Sequence, residues 1–253
     1  MQVVGARTLA LNRRHPDARG LVLAHPLNVQ RSDGFRDATG KDGSKWAYSG
    51  GLALSSFGTW AGGYGISGNG TLGQKLLSPL SQQTLPAGSD FTFIAQCRLD
   101  SAAAFQIIML ATGIAFGFQA GQLLSVYGNA GGVLRSSALA ATLGAKTVWG
   151  VRYKNSATAY QFFLNGQFDT PTVGTAPTYS AQTPYLGGGI AGSGGWNGIM
   201  SDVRLYNRYM PNDTFMRAYR QPLGIYIPTR AWTLLLPPSG AAGRFLPFLH
   251  PAF

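Results

Sequence analysis

The sequence predicts an all-β fold: an antiparallel β-sandwich with one short helix near the C-terminal end and extended terminal arms. Three observations support it. The 253 residues include Gly 35, Pro 14 and 12% aromatic residues, a composition that favours strands and turns. The chain has no Glu and few Lys, so it lacks the residues that long surface helices use. Its apolar runs have the length of strands and are separated by turn residues.

Apolar runs of strand length recur along most of the chain. They predict strands at residues 20–27, 91–99, 105–111, 114–118, 122–127, 147–153, 185–190 and 196–206. We expect the first of these to pair with a strand late in the chain. The most specific turn is Asn165-Gly166, because Asn-Gly favours the type I′ turn whose twist matches paired strands. With residues 147–153, the hairpin around it predicts three adjacent antiparallel strands.

Two elements close the predicted domain. Strict alternation along residues 196–206 predicts one face formed by Ile199, Ser201, Val203 and Leu205, and an opposite face formed by Met200, Asp202, Arg204 and Tyr206. Residues 211–219 then predict a short helix, since Pro211 and Asp213 suit its start and Arg217 its end. Phe215 and Tyr219 lie four residues apart and predict one apolar face.

Positive charge is concentrated at the two ends of the chain. The net charge is +11 and the isoelectric point is about 10.1. Residues 1–36 hold six Arg against two Asp, and residues 204–253 hold six Arg against one Asp. This distribution predicts an acidic partner or surface. The alternative is a generally basic protein whose charge lies wherever loops allow.

The chain has one cysteine and no recognisable targeting segment. Cys97 lies in an apolar run and cannot form an internal disulfide, so we expect a core thiol. The first residues lack the pattern of a signal peptide, and no apolar run reaches the roughly 20 residues that span a bilayer. We therefore expect synthesis in a cytoplasm without secretion or membrane insertion.

Three segments of the second half carry a family resemblance. Residues 162–167 read Phe-Phe-Leu-Asn-Gly-Gln, residues 185–189 read Tyr-Leu-Gly-Gly-Gly, and residues 196–208 read Trp-Asn-Gly-Ile-Met-Ser-Asp-Val-Arg-Leu-Tyr-Asn-Arg. In this order they resemble the laminin-G-like domains of the concanavalin A-like lectin/glucanase superfamily. The resemblance implies a concanavalin A-like jelly roll.

The flanks resemble laminin-G-like proteins of bacteriophages. Residues 12–22, Asn-Arg-Arg-His-Pro-Asp-Ala-Arg-Gly-Leu-Val, are similar to the start of those proteins, and residues 220–228 are an imperfect match to their end. Leu223 stands where a Trp is expected, and residues 232–253 extend beyond the usual end. The resemblance implies a virion component, located in the particle after synthesis in the host cytoplasm.

The sequence offers no catalytic motif. Glycoside hydrolases of this superfamily commonly use paired carboxylates, but the chain has no Glu and no closely spaced Asp pair. His15, His25 and His250 lack zinc-ligand spacing, and the glycines of residues 65–73 lack the setting of a phosphate loop. We predict that the protein is not an enzyme and needs no cofactor.

Two ligand types stay open. Asp33, Asp37 and Asp42 lie among glycines and are candidate calcium ligands, although Asx turns explain them equally well. Carbohydrate binding is the second possibility, because exposed aromatic rings stack on sugars and amides bond their hydroxyls. The candidate glycan-binding residues are Trp60, Tyr64, Asn69, Trp196 and Asn197. Trp196 could equally cap the core.

The C-terminal arm is rich in proline and large apolar residues. Proline disfavours regular helix and interior strand, so the arm should run extended and be covered, either by its own domain or by another subunit. We favour a neighbour. The basic residues are isolated, without a basic helix or an RNA-binding strand motif, so we do not expect nucleic acid as a partner. The predicted particle-docking residues are Arg13, Arg14, Arg19, Arg230, Trp232, Arg244, Phe245 and Phe248.

These observations predict three regions: a basic N-terminal segment at residues 1–32 that joins the sandwich, a laminin-G-like sandwich at residues 33–220, and an apolar C-terminal arm at residues 221–253. The predicted function is that of a non-enzymatic bacteriophage virion protein, either a capsid decoration or a fibre-base subunit. Its partners would be virion proteins and further copies of itself. The alternative is a carbohydrate-binding module for attachment to host surface glycans.

Overall fold

Two antiparallel sheets enclose a common core. The computed structural model describes residues 8–27, 35–36, 38–39, 45–50, 57–60, 63–71, 73–79, 85–102, 106–128, 132–188, 195–222 and 224–229. The described strands are β1 (Thr8–Leu11), β2 (Leu21–Pro26), β3 (Phe35–Arg36), β4 (Lys45–Ser49), β5 (Phe57–Trp60), β6 (Gly63–Asn69), β7 (Lys75–Leu77), β8 (Phe91–Leu99), β9 (Gln106–Ala111), β10 (Ile114–Phe118), β11 (Leu123–Gly128), β12 (Val133–Ala140), β13 (Lys146–Lys154), β14 (Ala159–Leu164), β15 (Gln167–Phe168), β16 (Thr172–Val173), β17 (Tyr185–Gly187), β18 (Asn197–Tyr206) and β19 (Tyr226–Thr229). Helix α1 spans Asn212–Arg220. The predicted all-β fold with one short helix near the C-terminal end is confirmed.

The order of strands in the sheets brings distant segments together. One sheet orders the described strands β12-β11-β10-β9-β17-β7-β4-β3, and the other β15-β14-β13-β8-β18-β6-β5. In the second sheet, β2 pairs with the C-terminal half of β18, with His25 opposite Val203. This confirms that the early strand pairs late in the chain. The same sheet places β13, β8 and β18 at its centre.

The core lies between the two sheets and is held by aromatic contacts across them. The ring of Phe93 on β8 stacks on that of Phe116 on β10, with centroids 4.3 Å apart. Phe118 on β10 meets Trp149 on β13 edge to face at 5.9 Å. Cys97 is fully buried in the same cluster, as predicted for a core thiol. Such ring pairs stabilise the interface beyond the area they bury.

A β-bulge changes the predicted faces of β18. Met200 lies opposite Cys97 and Asp202 opposite Gln96, so Ser201 is an extra residue without its own partner on β8. An extra residue shifts the alternation by one position. Met200 therefore joins Val203 and Leu205 in the central core, whereas the sequence placed Ile199 on that face. Strict alternation was the wrong model for this strand.

The predicted Asn-Gly hairpin is confirmed. Leu164 pairs with Gln167 across the turn, and Asn165 and Gly166 have φ angles of 47° and 97°. Asparagine and glycine tolerate this left-handed backbone better than other residues do. The Asn165 side chain also accepts a hydrogen bond from the Val148 backbone N–H at 2.7 Å. The turn is thereby attached to the neighbouring strand β13.

Helix α1 packs on the outer face of the sheet that contains β13. The Phe215 side chain is fully buried and reaches Phe163 at a centroid distance of 5.4 Å. Gly150 makes this approach possible, because a Cβ there would lie 2.6 Å from Phe215 Cε1. Tyr219 also meets the Phe163 ring but stays 40% exposed. No helix in the described part of the chain has the length and apolar character needed to cross a membrane.

The described ends of the chain pair with each other. Strands β1 and β19 form a separate two-stranded sheet in which Leu11 lies opposite Tyr226. Ile225 and Tyr226 are buried in the same apolar cluster as Phe215 and Leu21. Residues 8–11 and 224–229 therefore belong to the folded body. The remainder of the predicted C-terminal arm, residues 230–253, lies outside the described residues.

Candidate functional site: an arginine-lined cleft

A large open cleft lies beside the N-terminal turn. Its volume is about 930 Å³. We call it the arginine cleft; it is lined by Leu11, Arg13, Arg14, His15, Pro16, Ala18, Arg19, Leu21, Thr39 and Arg208. Three of the predicted particle-docking residues, Arg13, Arg14 and Arg19, therefore share one surface feature. The volume is within the range of ligand-binding clefts.

A short 3-10 turn at Pro16–Ala18 directs these arginines outward. Proline suits the first position of a helical turn because its missing N–H has no partner there. His15 Nδ1 accepts a hydrogen bond from the Asp17 backbone N–H at 3.2 Å. Asn12 Oδ1 accepts one from the Arg14 N–H at 3.1 Å. These local bonds hold the backbone while Arg13, Arg14 and Arg19 remain exposed.

Asp17, the acidic residue of this turn, points away from the cleft into the protein. Its carboxylate accepts two hydrogen bonds from Arg217, at 2.8 and 2.6 Å, and one from the Thr214 hydroxyl at 2.8 Å. Burial opposes ionisation of this carboxyl, but these bonds and the charge of Arg217 outweigh it and lower the pKa of Asp17. Helix α1 therefore neutralises the charge that would otherwise offset the cleft arginines.

Gly20 brings a fourth arginine into the cleft. It has a φ of +81°, and a Cβ at this position would lie 2.4 Å from Cδ of Arg208. The aliphatic stem of Arg208 thus crosses directly over the Gly20 backbone. The Gly20 carbonyl also accepts a hydrogen bond from the Asn207 N–H at 2.9 Å. The two sequence segments that carry the family and phage resemblances, residues 196–208 and 12–22, meet at this point.

The cleft is strongly cationic. Arg13 donates a hydrogen bond to the Thr39 carbonyl at 3.1 Å, but none of the ion pairs among the described residues involves the four arginines of the cleft. Guanidinium groups stay protonated and only donate hydrogen bonds, so the cleft can bind oxyanions but offers no acid–base pair from its arginines. Leu11, Leu21 and the turn residues Pro16 and Ala18 provide apolar surface beside this charge.

The structure brings together two of the five candidate glycan-binding residues. Asn69 on β6 lies directly opposite Asn197 on β18, and Asn69 is exposed. Trp196 must be corrected, because its side chain is 1% exposed and packs near Phe118 in the core. A buried ring has no face for a sugar. Trp60 and Tyr64 belong to β5 and β6, but the placement of their side chains lies outside what the structure describes.

The remaining predicted site residues lie outside the described residues. These are the candidate calcium ligands Asp33, Asp37 and Asp42, and the docking residues Arg230, Trp232, Arg244, Phe245 and Phe248. Within the described ranges, no group of three or more His, Cys, Asp or Glu side chains comes together as a metal site. Calcium binding and docking through the arm therefore stay predictions.

The sequence did not indicate the cleft as a site. Arg208 and His15 were not assigned to it, and Asp17 and Gly20 had no assigned role. The turn pattern His15-Pro16-Asp17 could have indicated a capped 3-10 turn that directs its basic neighbours outward. Nothing local to Arg208 indicates that it lies on Gly20, since that contact depends on the pairing of β2 with β18.

A sequence comparison agrees with this fold. The family model described as the concanavalin A-like lectin/glucanases superfamily, of the laminin G type, matches residues 70–214, which is more than half of the chain. No curated protein matches the sequence.

Several solved structures share the fold at low sequence identity. A sialidase of Trypanosoma rangeli in complex with sialic acid superposes with a TM-score of 0.52 and 14% identity, over 81% of this chain and 33% of the sialidase. The binding domain of Botulinum neurotoxin DC, in complex with rat synaptotagmin II, superposes with a TM-score of 0.57 and 10% identity, over 81% of this chain and 52% of that chain. The binding domain of Paraclostridial Mosquitocidal Protein 1 superposes with a TM-score of 0.55 and 12% identity, over 79% of this chain and 52% of that chain.

The chain thus spans about a third of the sialidase and about half of the two binding-domain chains. At these identities the likeness is one of fold. Together with the family match, it confirms the concanavalin A-like sandwich that the sequence resemblance implied: this chain belongs to the concanavalin A-like lectin/glucanases superfamily, as a laminin-G-like domain.

Proposed function

We propose that the protein is a non-enzymatic accessory subunit of a bacteriophage virion that attaches to an acidic partner on the particle through its basic ends. The observation that carries this proposal is the arginine cleft. Three arginines of the N-terminal segment and Arg208 surround one cleft, and no ion pair among the described residues neutralises them. Exposed guanidinium groups that no carboxylate neutralises attract and orient acidic surfaces.

The pairing of β1 with β19 supports attachment through both ends. Leu11, the last residue of β1, lines the cleft, and β19 leads directly into residues 230–253. The two-stranded sheet of β1 and β19 therefore contributes one residue to the cleft and immediately precedes residues 230–253 in the chain. The arm contains Arg230 and Arg244, no acidic residue, and a high proportion of large apolar side chains. In this proposal, charge guides the encounter of the protein with its partner on the particle, and burial of the apolar arm stabilises the complex that they form.

Binding without catalysis is the simplest use of this site. Asp17, the carboxylate nearest to the cleft in the chain, is held by Arg217 and Thr214. The whole sequence lacks Glu. In the proposed function the sandwich is displayed on the particle, with virion proteins and further copies of the chain as its partners.

Assembly of particles from altered chains tests the proposal. One chain would lack residues 232–253, and a second would carry Arg13→Gln, Arg14→Gln and Arg19→Gln. We expect both to keep the β-rich circular dichroism spectrum but to be lost from purified particles. The control is Arg220→Gln, which removes an exposed charge at the end of α1. Normal incorporation of both altered chains would refute attachment through the ends.

A second candidate function is carbohydrate binding for attachment to a host surface. The register that places Asn69, the last residue of β6, opposite Asn197, the first residue of β18, supports it, since paired amides can bond adjacent sugar hydroxyls. Polysaccharide arrays test this candidate with Asn197→Ala and Trp60→Ala. Glycan binding that is lost in both variants would support carbohydrate binding, provided that the control Asn212→Ala, at an exposed position, still binds. Absence of binding to any host glycan would remove it.

A further inference from the structure

We infer that the arginine cleft binds an acidic peptide segment of a partner protein, one that carries carboxylates beside aliphatic side chains. This inference rests on the proposed function and specifies the chemistry of the partner. Four features of the cleft support it: the type of its cations, the lack of ion pairs to them among the described residues, the apolar surface beside them, and the absence of aromatic rings from its described lining.

The cations suit oxyanions, carboxylates among them. Arg13, Arg14, Arg19 and Arg208 present planar forks that bind carboxylates through two parallel hydrogen bonds. His15 adds a further donor. Its Nδ1 accepts the Asp17 N–H, which in the neutral ring leaves the proton on Nε2. The described lining thus offers guanidinium and imidazole donors and no acidic side chain.

The neutral part of the cleft suits aliphatic side chains better than sugars or bases. Its described lining includes Leu11, Leu21, Pro16 and Ala18 but no Phe, Tyr or Trp. Sugars and nucleobases are usually held by stacking on aromatic rings. Aliphatic side chains need only apolar contact. A peptide that alternates carboxylates with aliphatic residues satisfies both parts of the lining.

The two terminal segments of the chain are poor candidates for the occupant. Residues 230–253 carry two arginines and no acidic residue, and residues 1–7 carry Arg7 and no acidic residue. A second copy is also disfavoured, because each chain carries a net charge of +11 and like charges repel. Charge complementarity therefore favours a different protein over either terminal segment or a second copy.

The geometry around Gly20 assigns a positioning role to that residue. Substitution of Gly20 by alanine would add a Cβ 2.4 Å from Arg208 Cδ and would displace the Arg208 side chain. Gly20→Ala should thus weaken peptide binding while every charge of the cleft remains. A general attraction between the basic protein and any anion would not respond to this substitution.

Fluorescence anisotropy with the full chain tests the inference. The probe is a labelled peptide in which Asp alternates with Leu, and a matched peptide has Asn in place of Asp. We expect binding of the Asp peptide alone, weakened about tenfold by Arg19→Gln or by Arg208→Gln, because each removes charged hydrogen bonds. Gly20→Ala should weaken it in the same direction. The control Arg220→Gln lies outside the cleft and should leave the affinity unchanged.

Three results would overturn the inference. The first is absence of binding by the Asp peptide. The second is an equal loss of affinity in Arg220→Gln, which would indicate unspecific attraction. The third is tighter binding of a heparin oligosaccharide or a short single-stranded oligonucleotide, which would assign the cleft to another class of polyanion. Circular dichroism of each variant separates loss of binding from loss of fold. Particle incorporation is measured without these peptides. The proposed function is therefore tested by particle assembly and the inference by peptide binding, and each can fail while the other holds.

Discussion

Arg217 of helix α1 and Asp17 of the N-terminal turn form a bidentate ion pair between residues 200 positions apart, with Nε–Oδ2 and Nη2–Oδ1 distances of 2.8 and 2.6 Å. The pair links the segment that bears Arg13, Arg14 and Arg19 to helix α1. It also neutralises the Asp17 carboxylate, the acidic group nearest in the sequence to Arg13, Arg14 and Arg19. The orientation of the N-terminal turn and the positive charge of the cleft thus have a common cause.

Loss of the Asp17 carboxylate should loosen the N-terminal turn. In Asp17→Asn, Arg217 loses its charge-assisted hydrogen bonds. We expect a loss of about 1–2 kcal/mol in the free energy of unfolding, moderate because the Arg217 side chain is 41% exposed and water can solvate it. Urea titration measures the change. Asp213→Asn removes an exposed carboxylate from the same helix and serves as the control; an equal effect there would contradict a specific role of Asp17.

The same pair should contribute a pH-dependent share of stability. The pKa of Asp17 is lower in the folded protein than in the unfolded chain. Its contribution is therefore complete above the unfolded value of about 3.9 and is lost as the pH falls through the folded value. We expect the stability difference between the protein and Asp17→Asn to shrink as urea titrations move from neutral pH to below pH 4. Burial raises the pKa values of Asp169 and Asp202, but both residues titrate in both proteins and cancel in the difference. A difference that does not change with pH would contradict the assignment.

The buried pair of Asp202 and Arg204 on β18 should respond more strongly to substitution. The two side chains are 2.6 Å apart, and Asp202 accepts a hydrogen bond from the Tyr226 hydroxyl at 2.7 Å. Arg204→Met leaves a buried carboxylate uncompensated, and we expect a loss of about 3–5 kcal/mol. Adding Asp202→Asn removes that charge and keeps an acceptor for Tyr226, so the double variant should be more stable than the single one. Chemical denaturation measures the free energy of unfolding of the single and the double variant. Equal values would show that the uncompensated buried carboxylate does not cause the loss of stability.

The contact between α1 and the sheet should tolerate no side chain at Gly150. A Cβ there would lie 2.6 Å from the Phe215 ring and 2.7 Å from the Phe93 carbonyl oxygen. Gly150→Ala should therefore destabilise the protein by about 1–3 kcal/mol through overpacking. Gly132→Ala is the matched control, because no atom lies within 4 Å of the added Cβ. Thermal unfolding of the two variants measures the difference, and equal midpoints would contradict the packing described for α1.

The Cys97 thiol should be unreactive until the protein unfolds. Its side chain is fully buried, and burial raises its pKa, so neither access nor thiolate is available to a reagent. We expect no labelling by iodoacetamide in buffer and complete labelling in guanidinium. Mass spectrometry measures both. Rapid labelling of the native protein would mean that the sheet containing β8 opens readily.

The elements that the sequence predicted correctly depend on local information. The Asn165-Gly166 turn, the alternating run of β8 and the helix after Pro211 each follow from backbone preferences or periodicity within a few residues. The family resemblance then supplied how these elements are arranged. It covered roughly residues 91–219, where β8, β13, β14 and β18 lie.

What the sequence by itself determined is the all-β class, the type of the elements that it predicted, the burial of Cys97 and the basic character of the ends. Only the tertiary structure decided that Trp196 is buried, that a bulge turns Met200 into the core, and that Arg208 joins Arg13, Arg14 and Arg19 around one cleft. The physical reason is that local preferences act between neighbours in the chain. Burial, register and the neutralisation of Asp17 by Arg217 instead depend on strands and helices that meet only after distant segments have paired.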